Sequence, residues 1–180
     1  MHTVCKTDNF FFLKTIGDIS KKDWNDCVGL DHPFTRYEFL YALEKSGSAV
    51  NSTGWQPFHY IEMNKGQRIV AICPLYIKSH SLGEYIFDHV WADAYHRYGS
   101  EYYPKLQSAI PFTPVTGARI IIHKDEKNKK KIKKKVLKNI VTKAHTLNVS
   151  SLHFNFLNDH KDITSENDNF LLRQGIQFHW

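Results

Sequence analysis

Two runs that read as β-strands, Gln56–Met63 and Gln67–Lys78, are separated only by Asn64-Lys65-Gly66. A short Asn/Gly link between such runs is a hairpin signal, with Asn and Gly placed at positive-φ positions. An antiparallel pair is therefore committed in the middle of the chain, and the rest must pack around it. Upstream, Asn9–Ile16 reads as a strand ended by Gly17-Asp18. Ser20 caps a short helix through Val28, with Asp23 three residues on in capping-box fashion. Thr35 caps a second helix whose apolar face is Phe39, Leu40 and Leu43 and which stops at Ser46-Gly47.

Downstream, a strand over Ala118–His123 leads into a long helix. Ile132, Val136, Leu137, Ile140, Val141 and Ala144 recur there at helical spacing, which puts the intervening lysines on the opposite face. Ser151–Phe156 reads as the next strand. A helix near Ser165–Arg173 and a final strand starting at Ile176 follow. This alternation predicts an α/β fold, a mixed sheet flanked by helices. No internal repeat or linker divides residues 1–180, so a single domain is expected.

Composition supports a folded chain. Hydrophobic residues make up 42% and aromatic residues 14%, enough to fill the core of a domain that buries about 70% of its unfolded surface. The net charge of +6 is local: ten lysines face two acids between Lys124 and Lys143. Such a face meets solvent, anionic lipid headgroups or an RNA backbone. The three cysteines, Cys5, Cys27 and Cys73, are far apart and form no CxxC, which supports neither a disulfide framework nor a zinc knuckle. Cys73, in an apolar strand, reads as an inert buried thiol. The apolar cluster Phe10–Leu13 is too short for a signal peptide or a spanning helix. A cytoplasmic protein without a transmembrane segment is the expectation.

Chemistry concentrates between Ala71 and Arg119, where Tyr, Trp, His, Asp and Lys crowd between two strands. Glu84 and Asp88 flank Tyr85-Ile86-Phe87. Among aromatic rings a carboxylate can have its pKa raised toward general-base work, although strand alternation equally suits a solvent-facing pair. Asp93 with His96 is a candidate for proton transfer or substrate binding, the alternative being a polar rim on an aromatic helix. His89, Asp93 and His96 would share a helix face, but the spacing matches no metal signature and no metal is expected. Trp91, Tyr95, Tyr102 and Tyr103 would wall a ligand cleft. Thr113 and Thr116 offer hydroxyls, and Arg119 offers a fork for carboxylate or phosphate. A plain turn before the next strand would account for these last residues as well. The cleft is expected between the Glu84–Tyr103 segment and the Thr113–Arg119 turn, with these side chains converging on it.

Long ordered blocks carry a resemblance. They are Ile72-Cys73-Pro74-Leu75-Tyr76-Ile77-Lys78-Ser79-His80-Ser81, Gly83–Asp88, Trp91–Tyr95, Tyr102-Tyr103-Pro104-Lys105-Leu106 and Pro111–Gly117, with His32-Pro33-Phe34, Ala42–Ser48 and Gly54-Trp55 upstream. Arg173 and Gln177-Phe178-His179-Trp180 extend it sparsely. The chain resembles the bacterial FemAB-like predicted N-acyltransferases, peptidoglycan biosynthesis or recognition proteins with the GNAT (N-acetyltransferase) architecture.

That resemblance implies a GNAT-like mixed sheet, incomplete at its C-terminal end, because in the family the chain continues past the QFHW block into a second half. It implies transfer of an acyl or aminoacyl group to an amine on a small-molecule or peptidyl acceptor, a cell-wall precursor being one candidate. The donor would be aminoacyl-tRNA or an acyl-CoA. The chain has no Q/R-x-x-G-x-G/A loop of the acetyl-CoA-binding GNAT type, which favours the tRNA donor. The lysine-rich helix would make at most a peripheral contact with an anionic membrane. The rival expectation is a non-catalytic binding module or an inactive fragment of such an enzyme.

Overall fold

The central hairpin forms, and each of its arms serves two sheets. The computed structural model describes residues 9–86, 88–159, 163 and 170–174. In chain order its strands and helices are β1 (Phe10–Leu13), α1 (Lys21–Val28), α2 (Tyr37–Lys45), β2 (Trp55–Pro57), β3 (His59–Met63), β4 (Ile69–Cys73), β5 (Tyr76–Lys78), α3 (His89–Arg97), β6 (Lys105–Ser108), β7 (Ile121–Ile122), α4 (Lys129–Leu147) and β8 (Leu152–Phe154). One sheet has the order β1-β3-β4-β7 and the other β2-β5-β6-β8. All pairings are antiparallel except β6 with β8. The single mixed sheet expected from the sequence is thus two sheets.

The switch lies at Phe58 in one arm and at Pro74-Leu75 in the other. Pro74 has no N–H to continue a ladder. Phe58 N still donates to Leu75 O at 2.8 Å, whereas Leu75 N donates to His59 Nδ1 at 3.3 Å. With Nδ1 accepting, the ring proton sits on Nε2, which donates to Glu44 Oε1 at 3.0 Å. The other Glu44 oxygen accepts from Thr15 Oγ1 and Ile16 N. A fully buried histidine thereby ties the sheet switch to α2 and to the end of β1.

Strand alternation sorts the first sheet onto two apolar layers. Phe11, Leu13, Ile61 and Ile72 face α1 and α2, packing on Trp24, Cys27 and Leu40. Phe10, Phe12, Tyr60, Ala71 and Cys73 face α4, packing on Val136, Leu137, Ile140 and Ala144. Each of these large side chains contributes roughly 1.5–3 kcal/mol by leaving water. The same layer runs under one face of the second sheet, through Ile77, Leu106, Leu152 and Phe154.

Local signals hold in part. Ser20 caps α1 and accepts from Asp23 N, as expected. Thr35 does not cap α2. It lies in a 3-10 turn and donates to His32 O, while the Tyr37 N–H is taken by Asn25 Oδ1 at 3.0 Å. In the hairpin loop the left-handed residue is Gln67 (φ 60°), and Asn64 Oδ1 accepts from Arg68 N. Most of the lysines on α4 are exposed, but Lys135 turns to the buried Glu62, which also accepts from Tyr60 Oη. Of the expected helix near Ser165–Arg173, residues 165–169 lie outside the described residues, and 170–173 are not helical. The final strand expected from Ile176 also lies outside them.

Candidate functional site

The second sheet differs from the first in what its other face carries. Register places Trp55, Lys78 and Lys105 in one row and Pro57, Tyr76, Gln107 and His153 in the next, all on the face turned away from α4. Lysine is almost never fully buried unless paired, yet Lys78 and Lys105 are both 0% exposed. The segment Ser79–Asp88 folds over them and supplies the acids. Lys105 Nζ donates to Glu84 Oε2 at 2.8 Å, Asp88 Oδ2 at 2.6 Å and Ser81 Oγ at 3.2 Å. Lys78 Nζ lies 3.7 Å from Glu84 Oε1, 3.5 Å from Leu82 O and 3.7 Å from the centre of the Trp55 ring. Arg173, half-exposed, adds an ion pair to Asp88 from outside.

The environment draws Lys78 and Glu84 together in acidity and separates Glu84 from Asp88. Burial lowers the pKa of Lys78 to about 8, against the pull of Glu84. Burial raises that of Glu84, against the two lysines. Burial also works on Asp88, but the hydrogen bond and charge of Lys105, with Arg173, outweigh it and lower its pKa. His153 is depressed to about 4 by burial and by the Lys105 charge. A carboxyl held up beside an amine held down, 3.7 Å apart, is a pattern that acid–base sites near neutral pH use.

Aromatic residues wall the cluster. Lys105 Nζ lies 5.5 Å from the Tyr102 ring and 5.9 Å from the Tyr103 ring, and Tyr103 Oη bonds Ser81 Oγ at 2.7 Å. Tyr95 of α3 packs edge-on against Tyr102. The cover is backed by glycine: Gly83 has φ 78°, and a Cβ there would meet the Phe112 ring at 2.6 Å. Phe112 N donates to Gly83 O, so the Pro111–Gly117 loop starts against this cover. Tyr85 and Phe112, at φ 57° and 58°, occupy the left-handed region that bulky residues avoid. Such strain, held by surrounding structure, clusters at functional sites.

The structure therefore brings together Glu84, Asp88, Tyr102 and Tyr103, with Tyr95 behind them. Glu84 and Asp88 are buried in a loop, not paired along a strand toward solvent. Asp93 and His96 lie exposed on α3, and Trp91 is 51% exposed. Thr113 Oγ1 donates to Pro111 O within its own turn, and Thr116 is exposed, its carbonyl accepting from His32 Nε2 at 3.0 Å. Arg119 is buried and spends its fork on the backbone carbonyls of Val115, Asn155 and Phe156. Among the described residues no three His, Cys, Asp or Glu side chains are placed to share a metal ion, and no helix is long and apolar enough to cross a membrane. Cys73 is fully buried, its thiol pushed up to about 12 by that burial.

Sequence reasoning missed Lys78, Lys105 and His153. A signal was present: Lys105 and Gln107 alternate with Leu106 and Ser108, so one strand face was polar. A strand lysine reads as exposed by default, and nothing local showed that the Ser79–Asp88 segment would cover it.

Comparisons with known proteins bear on this fold. A family model for FemAB-like proteins, described as peptidoglycan biosynthesis/recognition, matches residues 15–180. No curated protein sequence matches the chain. Among solved structures, the aminoglycoside 6'-N-acetyltransferase AAC(6')-Ih of Acinetobacter baumannii is similar with a TM-score of 0.52 at 11% identity, covering 96% of each chain. A tetramutant of the BH1408 protein of Bacillus halodurans is similar with a TM-score of 0.52 at 9% identity, covering 95% of this chain and 99% of its own. At such identities the likeness shows the fold, which is GNAT-like.

Proposed function

The chain belongs to the FemAB-like family, and from that premise we propose that it is an N-acyltransferase, moving an acyl or aminoacyl group onto an amine. The observation that carries this reading is the fully buried Lys78–Glu84–Lys105–Asp88 cluster on the second sheet. An amine acceptor arrives as an ammonium ion and must lose a proton before it attacks the donor carbonyl. Glu84, its pKa raised by burial, takes that proton. Lys78, near the middle of its titration at pH 8, returns one to the leaving group. Lys105 and Asp88 hold Glu84 in place, and Lys105 also supplies positive charge for the oxyanion that forms in the transition state.

Because the cluster is closed, substrate reaches it when the Ser79–Asp88 cover, with Leu82 and Tyr85 exposed on its outside, moves aside. Tyr95, Tyr102, Tyr103 and Trp91 then line the way in, with Asp93 and His96 at its outer end and Thr113 and Thr116 on the neighbouring loop. An aminoacyl-tRNA is the preferred donor, which places the reaction in the cytoplasm, and a cell-wall amine is the preferred acceptor. Lysines of α4 give the donor RNA, or an anionic membrane, a peripheral contact.

A second reading rests on the same cluster. Its four innermost charges are paired among themselves, which suits a latch in a non-catalytic binding module. The test is to incubate the protein with amino-sugar or dipeptide acceptors and either aminoacyl-tRNA or an acyl-CoA, and follow acylated product by mass spectrometry. Product with one donor class, lost in Glu84→Gln while the far-UV spectrum is retained, supports the enzyme. Absence of product with both donors supports the binding module.

A further inference from the structure

Residues 109–116 leave the second sheet and return to it beside the same neighbouring strand. Asn155 N donates to Ser108 O and Gly117 N donates to Phe156 O, both at 3.0 Å. Ser108 thus faces Phe154 at the end of β8 and Gly117 faces Leu157 on its continuation, while the chain between them bows outward. Arg119 staples the base of this excursion, with Nε donating to Asn155 O at 2.8 Å and Nη2 to Val115 O at 2.6 Å and Phe156 O at 3.3 Å.

Every one of those partners is a carbonyl. Arg119 is 1% exposed, among the described residues no carboxylate pairs with its guanidinium, and Nη1 has no hydrogen-bond partner. The residue whose carbonyl holds Nε, Asn155, is itself buried with its side-chain Nδ2 unpartnered. A buried full charge surrounded only by dipoles is costly, as are orphan donors beside it. Burial lowers the guanidinium pKa to about 10, an expression of the same stress.

The place is close to the surface. A Cβ on Gly117 would lie 3.4 Å from Arg119 Nη1 and 2.5 Å from His32 Nε2, so only glycine leaves this corner clear. His32 donates from Nε2 to Thr116 O and so holds the outer edge of the turn, where Thr116 is exposed.

We propose that Arg119 Nη1 and Asn155 Nδ2 form a binding site for a small oxyanion, a carboxylate or phosphate group, beneath the 109–117 loop. Two unpartnered donors on touching residues, one carrying an uncompensated positive charge, complement such a group. The site is separate from the Lys–Glu–Asp cluster and does not depend on the acyl-transfer reading.

The experiment titrates the full chain with inorganic phosphate and, separately, with acetate, following the Arg119 Nε–Hε resonance by NMR. A saturable shift with phosphate alone assigns the site to phosphoryl ligands, and with acetate alone or with both to carboxylates or oxyanions at large. Asn155→Ala is expected to weaken the binding about tenfold. The triple variant Lys129→Gln, Lys131→Gln, Lys134→Gln leaves it unchanged, because the lysine helix is not the site. Should Asn155→Ala fail to fold, Arg119→Lys, which keeps the charge and loses the fork, is expected to show a similar loss in the midpoint shift given by the ion on thermal unfolding. No saturable shift at Arg119 with either ion overturns the proposal, as does undiminished binding in these two variants.

Discussion

The two sheets are built from the same hairpin arms, yet they hold themselves together differently. The first is stabilised mainly by apolar burial, with Trp24, Leu40, Ile61 and Ile72 on one side and the α4 layer on the other, and His59 and Glu62 are its buried polar members. The second shares that α4 layer on one face and buries lysines and carboxylates on the other, with a partly buried histidine beside them. Apolar burial is tolerant of position, since a methylene is worth much the same wherever water is excluded. A buried ion cluster holds only if every partner is present. What separates the regions is therefore how each responds to losing one member.

The largest effect is expected from Lys105→Met, which leaves Glu84 and Asp88 buried without their shared ammonium. It should cost about 3–5 kcal/mol in urea unfolding. Replacing Lys78, Glu84, Lys105 and Asp88 together by apolar residues should recover most of that stability while abolishing the proposed transfer. In the first sheet Ile61→Ala should cost about 2–5 kcal/mol and leave the chemistry alone. A Lys105→Met variant no less stable than the parent would erase the contrast between the sheets.

Acid provides the next test. His153 is neutral in the folded protein down to about pH 4, whereas in the unfolded chain it takes a proton near pH 6.5. The unfolded state thus binds more protons in that window, so this contribution is intact above pH 6.5 and is lost as pH falls toward 4. The loss should reach roughly 2–3 kcal/mol, and His153→Gln should flatten that part of the stability curve. An unchanged pH profile in this variant would show that the polar face is wetter than the structure implies.

Smaller effects separate the lysines of α4. Lys135→Gln removes the ammonium paired with buried Glu62 and should cost about 1–2 kcal/mol. Substituting Gln for the exposed Lys129, Lys131 and Lys134 should change stability by less than about 0.5 kcal/mol, and weaken only binding to RNA or anionic vesicles. Equal costs for both sets would mean that the pairing across to Glu62 adds nothing to the first sheet.

The periodic apolar face of α4, the Ser20 cap of α1 and the existence of the hairpin were legible because each depends on neighbours a few residues away. Glu84, Asp88, Tyr102 and Tyr103 were legible as a crowd of polar and aromatic residues, though not as a cluster. Their common partner, Lys105, is 21 residues from Glu84 in the chain, and only strand register sets it opposite Lys78.

The sequence by itself determined α1, α2, α4 and the central hairpin, where the positive charge lies, and that polar and aromatic residues crowd between Ala71 and Arg119. Those properties follow from local periodicity and composition. Tertiary structure alone decided that one hairpin serves two sheets, that its polar face is covered, and that Arg119 meets carbonyls in place of an acid. Burial and register are long-range properties: a residue acquires its electrostatic environment from segments that pattern cannot see, and the pKa shifts of Lys78, Glu84 and His153 exist only once the chain has closed over them.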